Sequence, residues 1–141
     1  MKHFVIDNSV VMRWMFQDGA TEDRAYAQHI LERMQDPDVL ALAPAVWPLE
    51  VGNVIVRAEA KNLLSEARSA VFLALLQDMA IQVEPISAQR ALSDTLQLAR
   101  RYGLSSYDAS YLELALREGL PLATNDQKLR QALEKAGGAL A

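Results

Sequence analysis

The sequence predicts an α/β protein with a mostly parallel sheet covered by helices on both faces. Three observations carry that reading. Short apolar runs alternate with stretches of helical periodicity along the chain, as in strand–helix–strand units. The chain has 141 residues, 51% of them apolar, enough to bury a real core in one domain. Finally, the first apolar run, Phe4-Val5-Ile6, ends abruptly in Asp7, and the small polar pair Asn8-Ser9 follows. A buried strand that stops at an acid delivers it to the carboxyl rim of the sheet, where open parallel sheets bind their ligands.

Taken in order, residues 3–7 read as the first strand and Ser9 to Phe16 as a short helix or turn. Thr21 reads as the N-cap of a second helix, with Glu22 and Asp23 in its first turn, where acids complement the helix dipole. Tyr26, Ala27, Ile30, Leu31 and Met34 follow at helical spacing, and Asp36-Pro37-Asp38 ends the element. Val39 to Ala43 is the second strand. Pro48 fits the first position of a third helix reaching Ala60, with Val51, Val54, Ile55 and Ala58 as its apolar face. Ser65 to Met79 is a fourth helix with Val71, Phe72, Leu75, Leu76 and Met79 on one side. Ile81 to Pro85 is the third strand. Ser87 caps a long helix with the stripe Ala88, Ala91, Leu92, Thr95, Leu96 and Ala99, ending at Tyr102-Gly103. Ser105 starts a helix carrying Tyr107, Tyr111, Leu112, Leu114 and Ala115 as far as Gly119. Leu120 to Ala123 is the fourth strand. Thr124-Asn125-Asp126 turns the chain into a last helix ending near Lys135, and Ala139-Leu140-Ala141 reads as a short fifth strand. With no repeat, low-complexity segment or linker, residues 1–141 read as a single domain with a four- to five-stranded sheet.

Composition narrows the chemistry. There is no cysteine, which removes thiolate nucleophiles, disulfides and Cys-based metal sites, and fits a reducing compartment. Two histidines make a His-rich metal site improbable. No apolar run approaches the ~18 residues of a membrane span and no cleavable signal is visible, so a soluble, cytoplasmic protein is expected. Eighteen acids against 14 bases give a net charge of −4, not the basic footprint of a protein that holds nucleic acid by charge alone. Two divalent cations would cancel that excess.

Four acids stand out: Asp7, Glu50, Asp108 and Asp126. Each has an ordinary explanation by itself. Asp7 and Asp126 suit caps or turns, Glu50 the first turn of a helix, and Asp108 a capping box with Ser105. Together they form a pattern. Asp7 and Asp126 follow strands directly and Glu50 follows one at greater distance, so all three lie towards one rim. Glu50 and Asp108 also sit among apolar neighbours, where an ionised carboxylate is costly unless paired or metal-bound. Only Lys128, beside Asp126, is a base adjacent to any of them. Crowded carboxylates raise one another's pKa values. An all-oxygen set that needs a cation suits Mg²⁺ or Mn²⁺.

The pattern resembles the PIN-domain ribonucleases, and within them the VapC-type toxins of bacterial toxin–antitoxin pairs. The matching pieces are Val5-Ile6-Asp7-Asn8-Ser9, Leu49-Glu50-Val51-Gly52-Asn53-Val54, residues 106–115 around Tyr107-Asp108-Ala109, and Leu122-Ala123-Thr124-Asn125-Asp126-Gln127-Lys128-Leu129. They cover essentially the whole chain. Asn8 stands where a small residue is more usual. The resemblance implies a three-layer α/β/α sandwich and a metal-dependent endoribonuclease. Asp7 and Asp108 would then be direct ligands of one or two Mg²⁺ or Mn²⁺ ions, with Glu50 and Asp126 binding directly or through water. Ser9, Thr124 and Asn53 match supporting positions. The implied partners are RNA, a cognate antitoxin and a second copy in a homodimer. The apolar sides of the second and fourth helices, with Tyr26, Ile30, Met34, Phe72 and Leu76, are candidate surfaces. Arg13, Arg57, Lys61, Arg68 and Lys128 are candidate RNA contacts, and Trp14 and Trp47 read as buried at helix ends. Two alternatives remain: a catalytically silent binding module of the same fold, and a haloacid-dehalogenase-like phosphatase. The phosphatase would carry a second Asp two residues after the first, where this chain has Ser9. A phospho-acceptor receiver domain would need paired acids after the first strand, which are absent.

Overall fold

A computed structural model describes residues 2–141. Its elements, in order, are β1 (Phe4–Ile6), α1 (Asn8–Phe16), α2 (Thr21–Arg33), β2 (Ala41–Pro44), α3 (Trp47–Ala60), α4 (Glu66–Gln77), β3 (Ile81–Glu84), α5 (88–102), α6 (Ser106–Glu118), β4 (Leu122–Ala123) and α7 (Gln127–Lys135). All strand pairings are parallel and the order is β3-β2-β1-β4. Val5 pairs with Leu42 on one side and Leu122 on the other, which makes β1 a central strand. Its three residues are fully buried, as expected of a strand covered on both faces. Helices flank this sheet in the three-layer arrangement expected from the sequence.

The order places the site. From β1 the chain steps outward to β2 and β3, then returns to the opposite side of β1 for β4. The direction of winding therefore reverses between β1 and β4. At such a switch point the connections diverge and leave a crevice at the carboxyl ends of the strands. Asp7 follows β1 and Thr124 follows β4, so these residues sit at the crevice. Helix α6 packs across β1, β2 and β4. It buries seven consecutive residues, Ala109 to Ala115, and among them Tyr111 is the largest fully buried side chain in the protein.

Several expectations need correction. Thr21 is the first residue of α2 and not its cap; Ala20 holds the cap position without a side-chain bond, although Glu22 and Asp23 lie in the first turn as anticipated. Helix α3 begins one residue earlier than expected, at Trp47. Ser65, Ser87 and Ser105 do cap α4, α5 and α6, each accepting a backbone N–H. Helix α5 widens into a π turn over Ala91–Thr95. The wider turn breaks the 3.6-residue register, so the anticipated stripe buries Thr95 and Ala99 but leaves Leu92 73% exposed. Tyr107 is likewise exposed, at the open start of α6.

Helix α4 departs most from its expected burial. Its sequence is apolar around most of its circumference, so no orientation hides all of it. Leu76 is buried, while Val71 and Leu75 are 63% and 62% exposed. Of the expected surface residues on α2, Ile30 is fully buried core. The fifth strand reduces to a single bridge between Leu122 and Leu140 beside β4. Among the described residues no helix is long and apolar enough to cross a membrane.

Candidate active site

Asp7 ends β1 and occupies the N-cap position of α1, but its side chain makes no capping bond. It is instead held by two hydroxyls. Ser9 Oγ donates to Asp7 Oδ2 at 2.6 Å, and Thr124 Oγ1 donates to the same oxygen at 2.8 Å. Among the described residues no side chain hydrogen-bonds to Oδ1. The ordinary reading of Asp7 as a cap is therefore not realised. The carboxylate is 5% exposed, and burial is the main reason its pKa is raised to about 6. The two hydroxyl bonds pull it down, and the charges of Asp108 and Asp126 push it up.

The other three acids each start a helix. Glu50 lies in the first turn of α3, where Tyr111 O–H donates to its Oε1 at 2.5 Å. Burial raises the Glu50 pKa, against the Tyr111 hydrogen bond, and the charges of Asp7 and Asp108 raise it further. Tyr111 in turn is driven above its ordinary pKa by burial and by the Asp7 and Glu50 charges. Asp108 lies in the first turn of α6, where its N–H donates to Ser105 Oγ at 3.0 Å. Its pKa is raised by burial and by Asp126, and lowered by the Ser105 hydroxyl and Lys128. Asp126 caps α7 through Oδ1, which accepts the Leu129 N–H at 3.1 Å. Asp7, Glu50 and Asp126 thus share a pattern: the recorded bonds hold one oxygen and leave the other available. Four helix N-termini, each with partial positive charge, accompany the four acids.

A fifth acid provides an internal contrast. Glu113, 4% exposed on α6, meets Arg117 Nε at 2.8 Å and Arg90 at 3.1 Å. A buried carboxylate that serves only to hold the fold is compensated in this way. The ion pairs recorded among the described residues all involve other acids; none reaches Asp7, Glu50, Asp108 or Asp126. Uncompensated oxygen donors at a crevice fit a hard divalent cation. Among the described residues no three such acids converge into a ready-made cage.

The remaining expected residues divide clearly. Ser9 and Thr124 are at the site, also 3.3 Å from each other. Ser9 Oγ accepts the Asn125 N–H at 2.9 Å, and Thr124 Oγ1 accepts the Asp126 N–H at 3.0 Å. Asn53 is exposed on α3, one turn beyond Glu50. Arg13 is tied to the turn at Asp18 through that residue's carboxylate and carbonyl. Arg57, Lys61 and Arg68 are exposed without recorded ion pairs, and only Lys128 has a charge that reaches one of the acids. Trp47 is buried, and half-buried Trp14 donates to the Ala27 carbonyl at 2.8 Å.

Sequence reasoning missed two participants. Tyr111 passed as a core residue because its spacing on α6 matches the apolar face; a tyrosine there, with a hydroxyl to satisfy, was the available signal. Asn125 passed as turn material. Its Nδ2 donates to the Asp23 carbonyl at 3.1 Å and ties the loop after β4 to α2.

Comparison with known proteins places the chain in a family. The chain is 27% identical over 127 residues to Ribonuclease VapC3 of Pyrobaculum aerophilum, covering 90% of this chain and 92% of that one. Among solved structures, a crystal structure from Pyrobaculum aerophilum matches with a TM-score of 0.68 at 24% identity, over 98% of this chain and 82% of the other. A toxin–antitoxin complex from Klebsiella pneumoniae matches with a TM-score of 0.62 at 20% identity, over 98% and 96%. At those identities the structural matches show a shared fold. A model of the PIN domain matches residues 4–135, a stretch that contains all four acids and both site hydroxyls, and the chain belongs to the PIN-domain family.

Proposed function

We propose that this protein is a Mg²⁺- or Mn²⁺-dependent endoribonuclease, a hydrolase of RNA phosphodiester bonds, and the toxin of a cytoplasmic toxin–antitoxin pair. One observation carries the reading: among the described residues Asp7, buried at the β1/β4 crevice, has no basic partner, while Glu113, equally buried, has two arginines. The similarity to a ribonuclease named VapC3 supports RNA as the substrate, and the Klebsiella pneumoniae complex supports an antitoxin partner.

Asp7, Asp108, Glu50 and Asp126 would hold the cation. When bound, it supplies Lewis-acid polarisation of the phosphodiester and of the attacking water. The protein's own residues do the rest. Ser9 and Thr124 hold the Asp7 carboxylate through Oδ2, which leaves Oδ1 for the cation. Tyr111 does the same for Glu50. The N-termini of α1, α3, α6 and α7 offer partial positive charge to a substrate phosphate. Lys128, beside Asp126, is the best-placed basic side chain for RNA; Arg13, Arg57, Lys61 and Arg68 would contact flanking backbone. Asn53 would support Glu50 from the next turn of α3. The exposed apolar residues of α4 are assigned to the antitoxin and to a homodimer contact. The test is cleavage of total bacterial RNA in Mg²⁺ or Mn²⁺ and in EDTA, by wild type and Asp7→Asn. Cleavage should need both the ion and Asp7. Equal cleavage by folded Asp7→Asn would defeat the proposal.

A further inference from the structure

Arg130 carries no part of the reading above, yet its side chain turns away from solvent and back towards the site. It lies in the first turn of α7, where its N–H donates to the Asp126 carbonyl at 2.9 Å. Its Nε donates at 2.7 Å to the carbonyl of Thr124, three residues before the start of the helix. The guanidinium carbon sits 4.8 Å from the centre of the Tyr26 ring on α2. One side chain therefore grips the end of β4, the start of α7 and the face of α2.

The gripped carbonyl belongs to the residue on which the site loop turns. Thr124 is fully buried; its hydroxyl donates to Asp7 and accepts from the N–H of Asp126. Fixing the Thr124 peptide fixes the direction of that hydroxyl and the angle at which α7 leaves β4. Those two quantities set where Asp126 stands relative to Asp7. The Asn125 tie to Asp23 holds the same loop from the α2 side. Both ties end on α2, so the loop after β4 is held against that helix at two points.

We propose that Arg130, seated on Tyr26, is a positioning residue that sets the spacing of the Asp7 and Asp126 carboxylates for the divalent cation. This rests on the proposed metal-dependent activity and adds a residue to it. The role calls for arginine. The Nε–H bond and the planar stack on the ring both depend on the guanidinium, and lysine keeps only the charge.

The test is Mn²⁺ affinity by calorimetry for wild type, Asp7→Asn, Arg130→Met and Arg130→Lys, with folding checked by thermal melts, and RNA kinetics on the same samples. Partners that orient metal ligands change affinity about 10–100-fold on removal. Both Arg130 variants should bind Mn²⁺ at least about 10-fold more weakly, with kcat reduced and KM for RNA within about twofold of wild type. Unchanged Mn²⁺ affinity in the folded variants overturns the proposal. So does a raised KM with unchanged Mn²⁺ affinity, which would make Arg130 an RNA contact. So does full recovery by Arg130→Lys, which would reduce its role to charge. If the more intrusive Arg130→Met fails to fold, Arg130→Lys alone decides. A wild type whose Mn²⁺ affinity is indifferent to Asp7→Asn removes the metal-site reading itself, and this proposal with it. Loss in Asp7→Asn without loss in the Arg130 variants removes this proposal alone.

Discussion

Replacing Asp7 with asparagine should stabilise the metal-free protein above pH 7 while removing its activity. Burial lifts the Asp7 pKa from 3.8 to about 6. The folded state therefore holds this proton more tightly than the unfolded state does. The stability this one group contributes is fully present below about pH 4, falls as pH rises through the interval between the two values, and is lost above about pH 6. Roughly two units at about 1.4 kcal/mol each give about 3 kcal/mol of strain in the ionised form. Asparagine resembles the neutral acid, and its carbonyl oxygen can still accept the Ser9 and Thr124 hydroxyl bonds. In excess chelator at pH 8, Asp7→Asn should be more stable than wild type by up to about 3 kcal/mol. At an unfolding entropy near 2 cal/mol/K per residue, that is about 10 °C in Tm for a chain of this length. Near pH 4 the difference should vanish. Urea titrations at pH 4, 6 and 8 in EDTA measure it. An asparagine variant no more stable than wild type at pH 8 would refute the claim that Asp7 is an uncompensated buried charge.

Three further outcomes follow from the same geometry. Mn²⁺ at about 100 times its Kd should stabilise wild type by about 2.7 kcal/mol in a melt at pH 7.5, and should leave Asp7→Asn unmoved. Arg117→Met removes the nearer partner of buried Glu113 and should cost about 1–3 kcal/mol in urea unfolding, limited because Arg90 remains. Val71→Asp and Leu75→Asp change exposed residues on α4, so stability should stay within about 0.5 kcal/mol. Co-purification of the antitoxin, or the dimer in gel filtration, should nevertheless be lost.

The parts of this protein readable from sequence are those specified by local chemistry. β1 shows because its apolar run ends in an acid, and α4 to α6 show at their starts because serine caps carry their signal within a few residues. All four acids could be named because each stands at the start of a helix, beside a turn or cap. The resemblance named Ser9 and Thr124 as supporting positions, but sequence could not give how they meet the acids. Ser9 and Thr124 are far apart in the chain yet share one oxygen of Asp7, and only the β1–β4 pairing brings them together. Tyr111 on α6 reaches Glu50 on α3, 61 residues away in the chain, and only tertiary packing joins them. The π turn in α5 escaped because apolar periodicity assumes the α register that it breaks. At the fifth strand, Ala139-Leu140-Ala141 makes a single bridge, Leu140 to Leu122.

The most direct test is to locate the ion. Crystals soaked in Mn²⁺ at pH 7.5 and measured for anomalous scattering should show a peak in the β1/β4 crevice. It should lie about 2.1 Å from a carboxylate oxygen of Asp7, within reach of Asp108 or Asp126, and be absent in Asp7→Asn. A peak bound elsewhere, with the Asp7 carboxylate contacting only Ser9 and Thr124, would contradict the assignment of these four acids to a metal site.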